Sequence, residues 1–355
     1  ADEVFLFVGL AGEEDDERVT VPCVPCEDGG MPDAGTMDGA MGPDAGMVDA
    51  PILDDGGMGP PKPADPVALC GSNEGASFLF RILDERPAAL LECSLTGPDS
   101  TCVPTVVSGL HEVGGEMTGE GPALEVPVDF ACIDDDTTVV ADSGTNPLVR
   151  VNGPDGARDV LAGPGVGSGA DIDAPNSVVF DPRTRLLYVL LSPFGGTSSI
   201  VAVHVDTLVR SEVWRAADRQ FATGLELHVE GNRLLTFLNN DLIAIDLGTA
   251  EQTTLADFPS GPGLPLYEGL QIDHTNNRVA MISSSLDAFS FLDLGTGEVF
   301  IVSGPERGEG PEILRLTDLL YFIGLDRAFV LDTGNNTLME IMPNGDRQHR
   351  SVLAE

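Results

Sequence analysis

Three consecutive carboxylates, Asp134, Asp135 and Asp136, form an acidic run whose residue types suggest metal chemistry. Calcium prefers carboxylate and carbonyl oxygens as ligands, and an acidic turn offers both. A charge run at a turn is more often simply solvated. Calcium is therefore the one cofactor that these residues suggest, and a solvated turn is the alternative.

Six cysteines, all within the first 132 residues, offer either redox, zinc or disulfide chemistry. The pair around Val24-Pro25 has the spacing of a redox dithiol, but no βαβ pattern surrounds it and no histidine or second pair stands nearby for zinc. An even number in a chain that we expect to be exported favours disulfides. Other connectivities stay open, and the preferred pairing is Cys23 with Cys26, Cys70 with Cys132, and Cys93 with Cys102.

The five histidines are scattered over the chain and no two of them share a metal-ligand spacing along the sequence. No Ser-His-Asp arrangement can be built from neighbours in sequence, and no phosphate-cradling glycine loop lies between a strand and a helix. The sequence therefore offers no nucleophile and base in a recognisable motif.

The charge of the chain excludes several partners. It has 18 Lys+Arg against 58 Asp+Glu, a formal net charge of −40, and Lys62 is its one lysine. Nucleic acid and anionic membrane surfaces need compensating cations, so we expect neither as a partner.

No apolar run reaches the length of a membrane-spanning helix. The sequence begins Ala-Asp-Glu instead of Met, from which we expect an extracellular or cell-surface protein with a cleaved signal peptide.

Short apolar segments recur from about residue 67 onward at intervals of roughly 45–60 residues, which is typical of the blades of a propeller. Turn residues separate them, and helical periodicity is not sustained over any long window. We predict an all-β fold: a six-bladed β-propeller over 67–355, with blades near 67–109, 124–163, 174–216, 222–258, 266–304 and 311–353. The recurring segments are Phe78-Leu79-Phe80, Thr138-Val139-Val140, Leu187-Tyr188-Val189, Leu234-Leu235-Thr236-Phe237, Val279-Ala280-Met281-Ile282 and Ala328-Phe329-Val330-Leu331.

Two longer sequence motifs each occur twice in the chain. The stretch from Asp142 to Val151 matches the stretch from Asp332 to Ile341, and the pattern Asp-Ser-Gly or Asp-Thr-Gly with a following Asn resembles NHL-repeat propellers. Residues 244–249 and 290–296 share an Asp-Leu-Gly-Thr motif that resembles surface-layer-type propellers. The resemblance covers roughly 70–352 and implies the fold more than the function, because such propellers include enzymes, binders and scaffolds.

One segment resembles a motif of the SMP-30-like (gluconolactonase) propellers. Ala174-Pro175-Asn176-Ser177 is similar to the Pro-Asn-Gly text that supplies a metal ligand in that family, and Asn176 occupies the ligand position. The resemblance implies a divalent cation over the central channel, which polarises the carbonyl of a lactone and activates the water that hydrolyses it. Ser177 departs from the family pattern, and a turn role for Asn176 is the alternative.

The sequence of residues 1–30 predicts an N-terminal strand or hairpin. The composition of residues 31–66 predicts a Gly/Pro/Asp-rich linker. The run Val4, Phe5, Leu6, Phe7, Val8 and Leu10 is apolar at nearly every position, so both faces of this strand should be buried. Because the repeat predicts six blades without it, we expect the strand to be donated to a neighbouring copy. A strand docked on its own propeller is the alternative.

We therefore predict a secreted or cell-surface structural or interaction protein without catalysis. Its partner would be a further copy of itself, in a head-to-tail filament, or another cell-envelope protein. The alternative is a metal-dependent lactonase-like hydrolase that uses Asn176.

Overall fold

A computed structural model of the 355-residue chain describes residues 4–9, 75–82, 88–94, 105–109 and 117–352, with short gaps at 135, 145–147, 154, 259–266, 333 and 336. The predicted linker, 31–66, lies outside these residues. In the described part of the chain, no helix has the length and apolar character needed to cross a membrane.

The first sheet combines two distant parts of the sequence. Its order is β1-β2-β3-β4, and its strands are β1 (Val4–Gly9), β2 (Gly75–Ile82), β3 (Ala88–Ser94) and β4 (Thr105–Gly109). β1 pairs antiparallel with β2 over its whole length, from Val4 opposite Ile82 to Gly9 opposite Ser77. The N-terminal strand therefore completes a sheet for which residues 67–109 supply three strands.

Five complete antiparallel blades follow, each built from consecutive strands. The first is β5 (Pro127–Asp134), β6 (Thr137–Asp142), β7 (Leu148–Asn152) and β8 (Arg158–Ala162). The second is β10 (Pro175–Asp181), β11 (Leu186–Leu191), β12 (Ser199–His204) and β13 (Val209–Arg215), with the two-residue β9 (Ser168–Gly169) parallel to its outer edge.

The remaining three blades have the same order. They are β14 (Ala222–His228), β15 (Arg233–Leu238), β16 (Asp241–Asp246) and β17 (Gln252–Ala256); β18 (Tyr267–Asp273), β19 (Arg278–Ser283), β20 (Ala288–Asp293) and β21 (Val299–Ser303); and β22 (Leu316–Phe322), β23 (Arg327–Asp332), β24 (Thr337–Ile341) and β25 (Arg347–Val352). A single 3₁₀ turn, Ile323–Leu325, joins β22 to β23.

The prediction of a six-bladed propeller within 67–355 is therefore wrong, because those residues form five complete blades. The described residues of the predicted first blade, near 67–109, supply three strands, and β1 takes the inner place beside β5 of the first complete blade and β22 of the last. β1 belongs to the same compact unit as the propeller. The expectation that the repeat needs no N-terminal strand depended on six complete blades, so it is wrong as well.

The hydrophobic core lies between neighbouring blades. The second strands are buried on both faces, as in β11, where Leu187–Leu191 are all buried, because each is packed between two sheets. This is why their sequences are continuous apolar runs and do not alternate. Two outer strands are largely exposed, because β17 has no buried residue and β21 has one.

The aspartate of the repeated NHL-like text has a structural role. The carboxylate of Asp332, 1% exposed at the end of β23, accepts hydrogen bonds from the backbone amides of Leu314 and Arg315 at 3.0 Å and from Gly334 at 3.1 Å. Asp142 makes the equivalent bonds to Glu125 and Val126 in the first complete blade. In these two blades the motif thus ties the segment that enters the inner strand to the strand that follows it.

We expect Asp332→Ala to lower the free energy of unfolding by about 2–4 kcal/mol, because it removes a buried carboxylate that accepts several part-buried backbone amides. Asp246→Ala is the matched control. Asp246 also accepts two backbone amides, from Gly248 and Thr249, but in an exposed turn, and its loss should cost less than about 1 kcal/mol. Urea unfolding of both variants measures the difference, and equal losses would contradict the structural role.

Candidate functional site in the central channel

The inner strands of the five complete blades surround a channel, and each of them contains a β-bulge. A bulge re-aims the side chains next to it and is common beside functional sites. The pairing of β1 with β2 is uninterrupted, so the N-terminal strand differs from the others in this respect. The register shifts are Pro127/Asp129, Pro175/Ser177, Thr223/Glu226, Tyr267/Leu270 and Leu316/Asp318.

A cavity of about 480 Å³ lies at these bulges. Apolar residues of all five inner strands contribute to its wall, and Phe221 stands 49% exposed beside it. The polar side chains that line it are Asp129, Asn176, Ser177, Thr223, Glu226, Arg315, Thr317 and Asp318. A concave site that combines apolar walls with a few convergent polar groups is the usual form of a ligand pocket.

Asp129 joins two neighbouring blades. Its Oδ2 accepts the Ser177 hydroxyl at 2.6 Å and the Val178 amide at 2.7 Å, and its Oδ1 accepts the Phe130 amide at 2.7 Å. Burial raises the pKa of the Asp129 carboxyl to about 6, and these hydrogen bonds oppose that rise. Both oxygens are already used within the protein, so Asp129 is an inter-blade contact before it is a ligand.

Glu226 has the most strongly raised carboxyl pKa of the channel. Burial in the channel wall raises the pKa of Glu226 to about 8, the charge of Asp129 adds to the rise, and a hydrogen bond with the Ile272 backbone opposes it. Glu226 is therefore a neutral acid at pH 7 and can donate a hydrogen bond or a proton. Sequence analysis missed both carboxyls, because each lies in an ordinary strand pattern.

The structure separates the predicted metal residues. Asn176 lies in β10 and lines the channel cavity. Asp134 and Asp136 are exposed in the β5–β6 turn, where the Asp136 amide donates to Asp134 Oδ1 at 3.2 Å, and Asp135 lies outside the described residues. Asp134 follows Asp129 by five residues of extended strand, roughly 16 Å. The acidic run and Asn176 therefore belong to different places on the propeller.

A second polar cluster lies on the turns that join inner strands to second strands. His228 ends β14, Glu230 follows in the β14–β15 turn, and His274 is in the β18–β19 turn of the next blade. The imidazole rings of His228 and His274 have their centroids 5.2 Å apart, and their planes are inclined by 12°. Burial lowers the pKa of His228, and the charge of Arg233 lowers it further. The histidine pair escaped sequence analysis because its members are one blade apart along the chain.

The cysteine predictions stay predictions. Cys132 lies in β5, with its Sγ 3.5 Å from the Thr138 hydroxyl. Cys93 lies in β3, of which the backbone is described. The other four cysteines lie outside the described residues: Cys23, Cys26, Cys70 and Cys102. Leu10, the last apolar residue of the predicted N-terminal strand, also lies outside them.

Comparison with known proteins places the fold but no family. No protein-family model and no curated protein matches the sequence. Among solved structures, TolB from Acinetobacter baumannii is 12% identical with a TM-score of 0.54, over 80% of this chain and 65% of TolB. A catalytically inactive virginiamycin B lyase from Staphylococcus aureus, with quinupristin, is 12% identical with a TM-score of 0.52, over 78% of this chain and 80% of the lyase.

A protein of unknown function from Bacteroides thetaiotaomicron is 10% identical with a TM-score of 0.51, over 77% of this chain and 72% of that protein. At such identities the similarity supports the fold alone. The narrower resemblance to NHL-repeat, surface-layer-type or SMP-30-like propellers stays a prediction. What the chain shares with these structures is the β-propeller fold, which proteins of varied function use.

Proposed function

We propose that this protein is a non-catalytic interaction protein that associates with further copies of itself by exchanging its N-terminal strand. One observation carries the proposal: β1 completes the sheet of β2–β4 although residues 10–74 separate it from β2. Backbone pairing of an added strand supplies affinity in β-augmentation, and the alternate side chains supply register.

The connection is far longer than closure of the sheet requires. Gly9 stands opposite Ser77 in an antiparallel pair, a geometry that a hairpin loop of about 2–5 residues can close. At roughly 3.3 Å per extended residue, the connection could span on the order of 200 Å. A tether of this length lets the strand reach a neighbouring molecule as well as its own sheet.

Exchange between copies preserves the strand pairing, so its equilibrium depends on concentration. A connection within one chain holds its own strand at an effective concentration of about millimolar or less, which falls as the connection lengthens. Dilute protein should therefore close on itself, whereas a crowded cell surface favours donation to a neighbour. Donor and acceptor surfaces differ, so repeated donation forms a head-to-tail filament unless it closes into a ring.

The acceptor side has a carboxylate in a suitable place. Asp318 occupies in β22 the position that Asp129 has in β5, directly after a bulge, and its Oδ1 likewise accepts the next backbone amide, from Leu319 at 2.8 Å. Asp129 holds the neighbouring inner strand through its Oδ2. Because β1 is the neighbour of β22, Asp318 is suited to meet an incoming strand in the same way.

The test compares the full chain with two variants as protein concentration rises. Leu6→Pro removes a backbone N–H in the middle of β1 and should weaken pairing with β2. A second variant, in which a short turn replaces residues 12–72, locks β1 to its own sheet. We expect the full chain to form oligomers at high concentration, seen by light scattering and electron microscopy, and both variants to stay monomeric.

All three proteins are compared under reducing conditions, because the locked variant loses three cysteines. Circular dichroism checks that each variant retains its β-structure. Oligomers of equal size and yield in the locked variant would show that strand exchange is not the route of assembly. A full chain that stays monomeric at every concentration would remove the proposal altogether.

A lactonase-like hydrolase is the second candidate, and one observation favours it: Asn176 shares a cavity with Asp129 and Glu226, each from a different blade. The fit to a cation is incomplete, because both oxygens of Asp129 already accept hydrogen bonds. Lactone hydrolysis assayed with added Ca²⁺ or Zn²⁺ decides this candidate. Turnover that Asn176→Ala abolishes would support it, and no turnover with either ion would remove it.

A further inference from the structure

The cluster at the β14–β15 and β18–β19 turns brings together three potential ligands from two blades. Within the part of the chain whose side chains are described, His228, Glu230 and His274 form the group whose donor atoms all lie within 4.8 Å of one another. Glu230 Oε2 lies 2.7 Å from His274 Nδ1 and 3.9 Å from His228 Nε2. The carboxylate therefore stands between the two imidazoles.

The imidazoles are held in place, whereas the carboxylate can move. The side chains of His228 and His274 are 15% and 13% exposed, and that of Glu230 is 58% exposed. His274 Nδ1 is buried and makes no hydrogen bond, since the short approach of Glu230 lacks hydrogen-bond geometry. The neutral tautomer of His274 that carries its proton on Nε2 offers the Nδ1 lone pair to a ligand.

We propose that His228, Glu230 and His274 bind a divalent transition-metal ion of the Zn²⁺ class across two neighbouring blades. Two imidazoles and one carboxylate match the donor preference of Zn²⁺, whereas Ca²⁺ and Mg²⁺ prefer oxygen alone. Bonds of about 2.1 Å place tetrahedral ligand atoms roughly 3.4 Å apart, so small rotations of Glu230 and of the rings complete the site. Three protein ligands leave a fourth position open to water or to a further ligand.

Arg233 opposes the metal. Its Nε donates a hydrogen bond of 2.8 Å to His228 Nδ1, which places the proton of the neutral ring on Nε2. Binding through Nε2 moves that proton to Nδ1, and Arg233 must then turn away. Its positive charge also repels the cation. We therefore expect an exchangeable site of moderate affinity, which becomes tighter when Arg233 is replaced.

The experiment titrates the full chain with Co²⁺ and Zn²⁺ in millimolar Ca²⁺, with free thiols blocked. Calcium occupies the acidic surface of a chain with net charge −40, and blocked thiols cannot bind zinc. We expect one Co²⁺ per chain, with the visible absorption of a tetrahedral site, and displacement by Zn²⁺. His228→Gln and His274→Gln should each weaken binding by at least about tenfold.

Two further variants complete the test. Arg233→Gln should tighten binding, and His204→Gln, a histidine on another blade, should leave it unchanged. Thermal melts of each variant without metal check that the propeller is intact. Binding that survives in the folded double variant His228→Gln/His274→Gln would overturn the proposal, as would Co²⁺ uptake that His204→Gln weakens equally.

Discussion

Replacing Glu226 by glutamine is expected to raise the free energy of unfolding at pH 9 and to leave it unchanged near pH 4. The folded channel raises the pKa of Glu226 from 4.5 to about 8, mainly through burial. Below pH 4.5 the side chain is protonated in both the folded and the unfolded state, and the amide resembles it. The variant then has no advantage.

The difference develops as pH rises through the window between the two pKa values. From about pH 4.5 upward the unfolded chain releases its proton while the folded protein retains it, so the wild type loses stability until about pH 8. One pKa unit corresponds to about 1.4 kcal/mol. Because the channel admits some water, we expect a gain of about 2–4 kcal/mol for Glu226→Gln at pH 9, measured by urea unfolding.

Glu298→Gln is the control, since Glu298 is exposed in the turn between β20 and β21. It should change stability by less than about 0.5 kcal/mol at every pH. A stabilisation by Glu226→Gln of the same size at pH 5 and pH 9 would mean that the ionisation of Glu226 is not the cause. A destabilisation at pH 9 would mean that the channel favours the carboxylate.

The strands themselves were largely predictable from sequence. Each recurring apolar segment lies in the strand that is second from the channel, as Leu187–Val189 does in β11 and Val279–Ile282 does in β19. These strands are packed between two sheets, so their sequences are apolar at nearly every position and stand out at the period of a blade. The spacing therefore gave the repeat its correct phase.

The number of blades was not predictable in the same way. The inner strand of the first sheet is β1, and nothing in the sequence near β2 indicates that its partner lies before residue 10. An apolar strand shows that both its faces are buried but does not show which sheet edge it joins. The repeat therefore suggested a complete blade where the chain from 67 to 109 supplies three strands.

The polar sites depend on ring closure and could not be deduced from local spacing. Asp129 and Glu226 lie two blades apart along the chain and meet at the channel. His228 and His274 lie in corresponding turns of consecutive blades. The blade period was the signal that could have found the histidine pair, since residues one period apart are neighbours around the ring.

A second large effect is expected in the last blade, where Glu340→Ala should lower the free energy of unfolding by about 3–5 kcal/mol. Glu340, in β24, is fully buried. Arg327 from β23 reaches its Oε1 at 2.8 Å, and Arg350 and Gln348 from β25 reach its Oε2. Removal of the carboxylate takes the Glu340 ion pair away from the charge of Arg350, whose side chain is 14% exposed.

The first complete blade supplies the matched control for this change. Asp142 and Asp332 occupy equivalent positions in the repeated text, and eight residues later Arg150 corresponds to Glu340. Arg150 pairs with Asp159 across β7 and β8, but these side chains are 38% and 44% exposed. Asp159→Ala should therefore cost less than about 1 kcal/mol, because water solvates both charges when they separate.

Urea unfolding of Glu340→Ala, Glu340→Gln and Asp159→Ala distinguishes burial from pairing. If the charge is what the arginines require, the glutamine variant should lose nearly as much stability as the alanine variant. If a hydrogen-bond acceptor suffices, it should lose far less, and equal small losses in all three would contradict the buried ion pair.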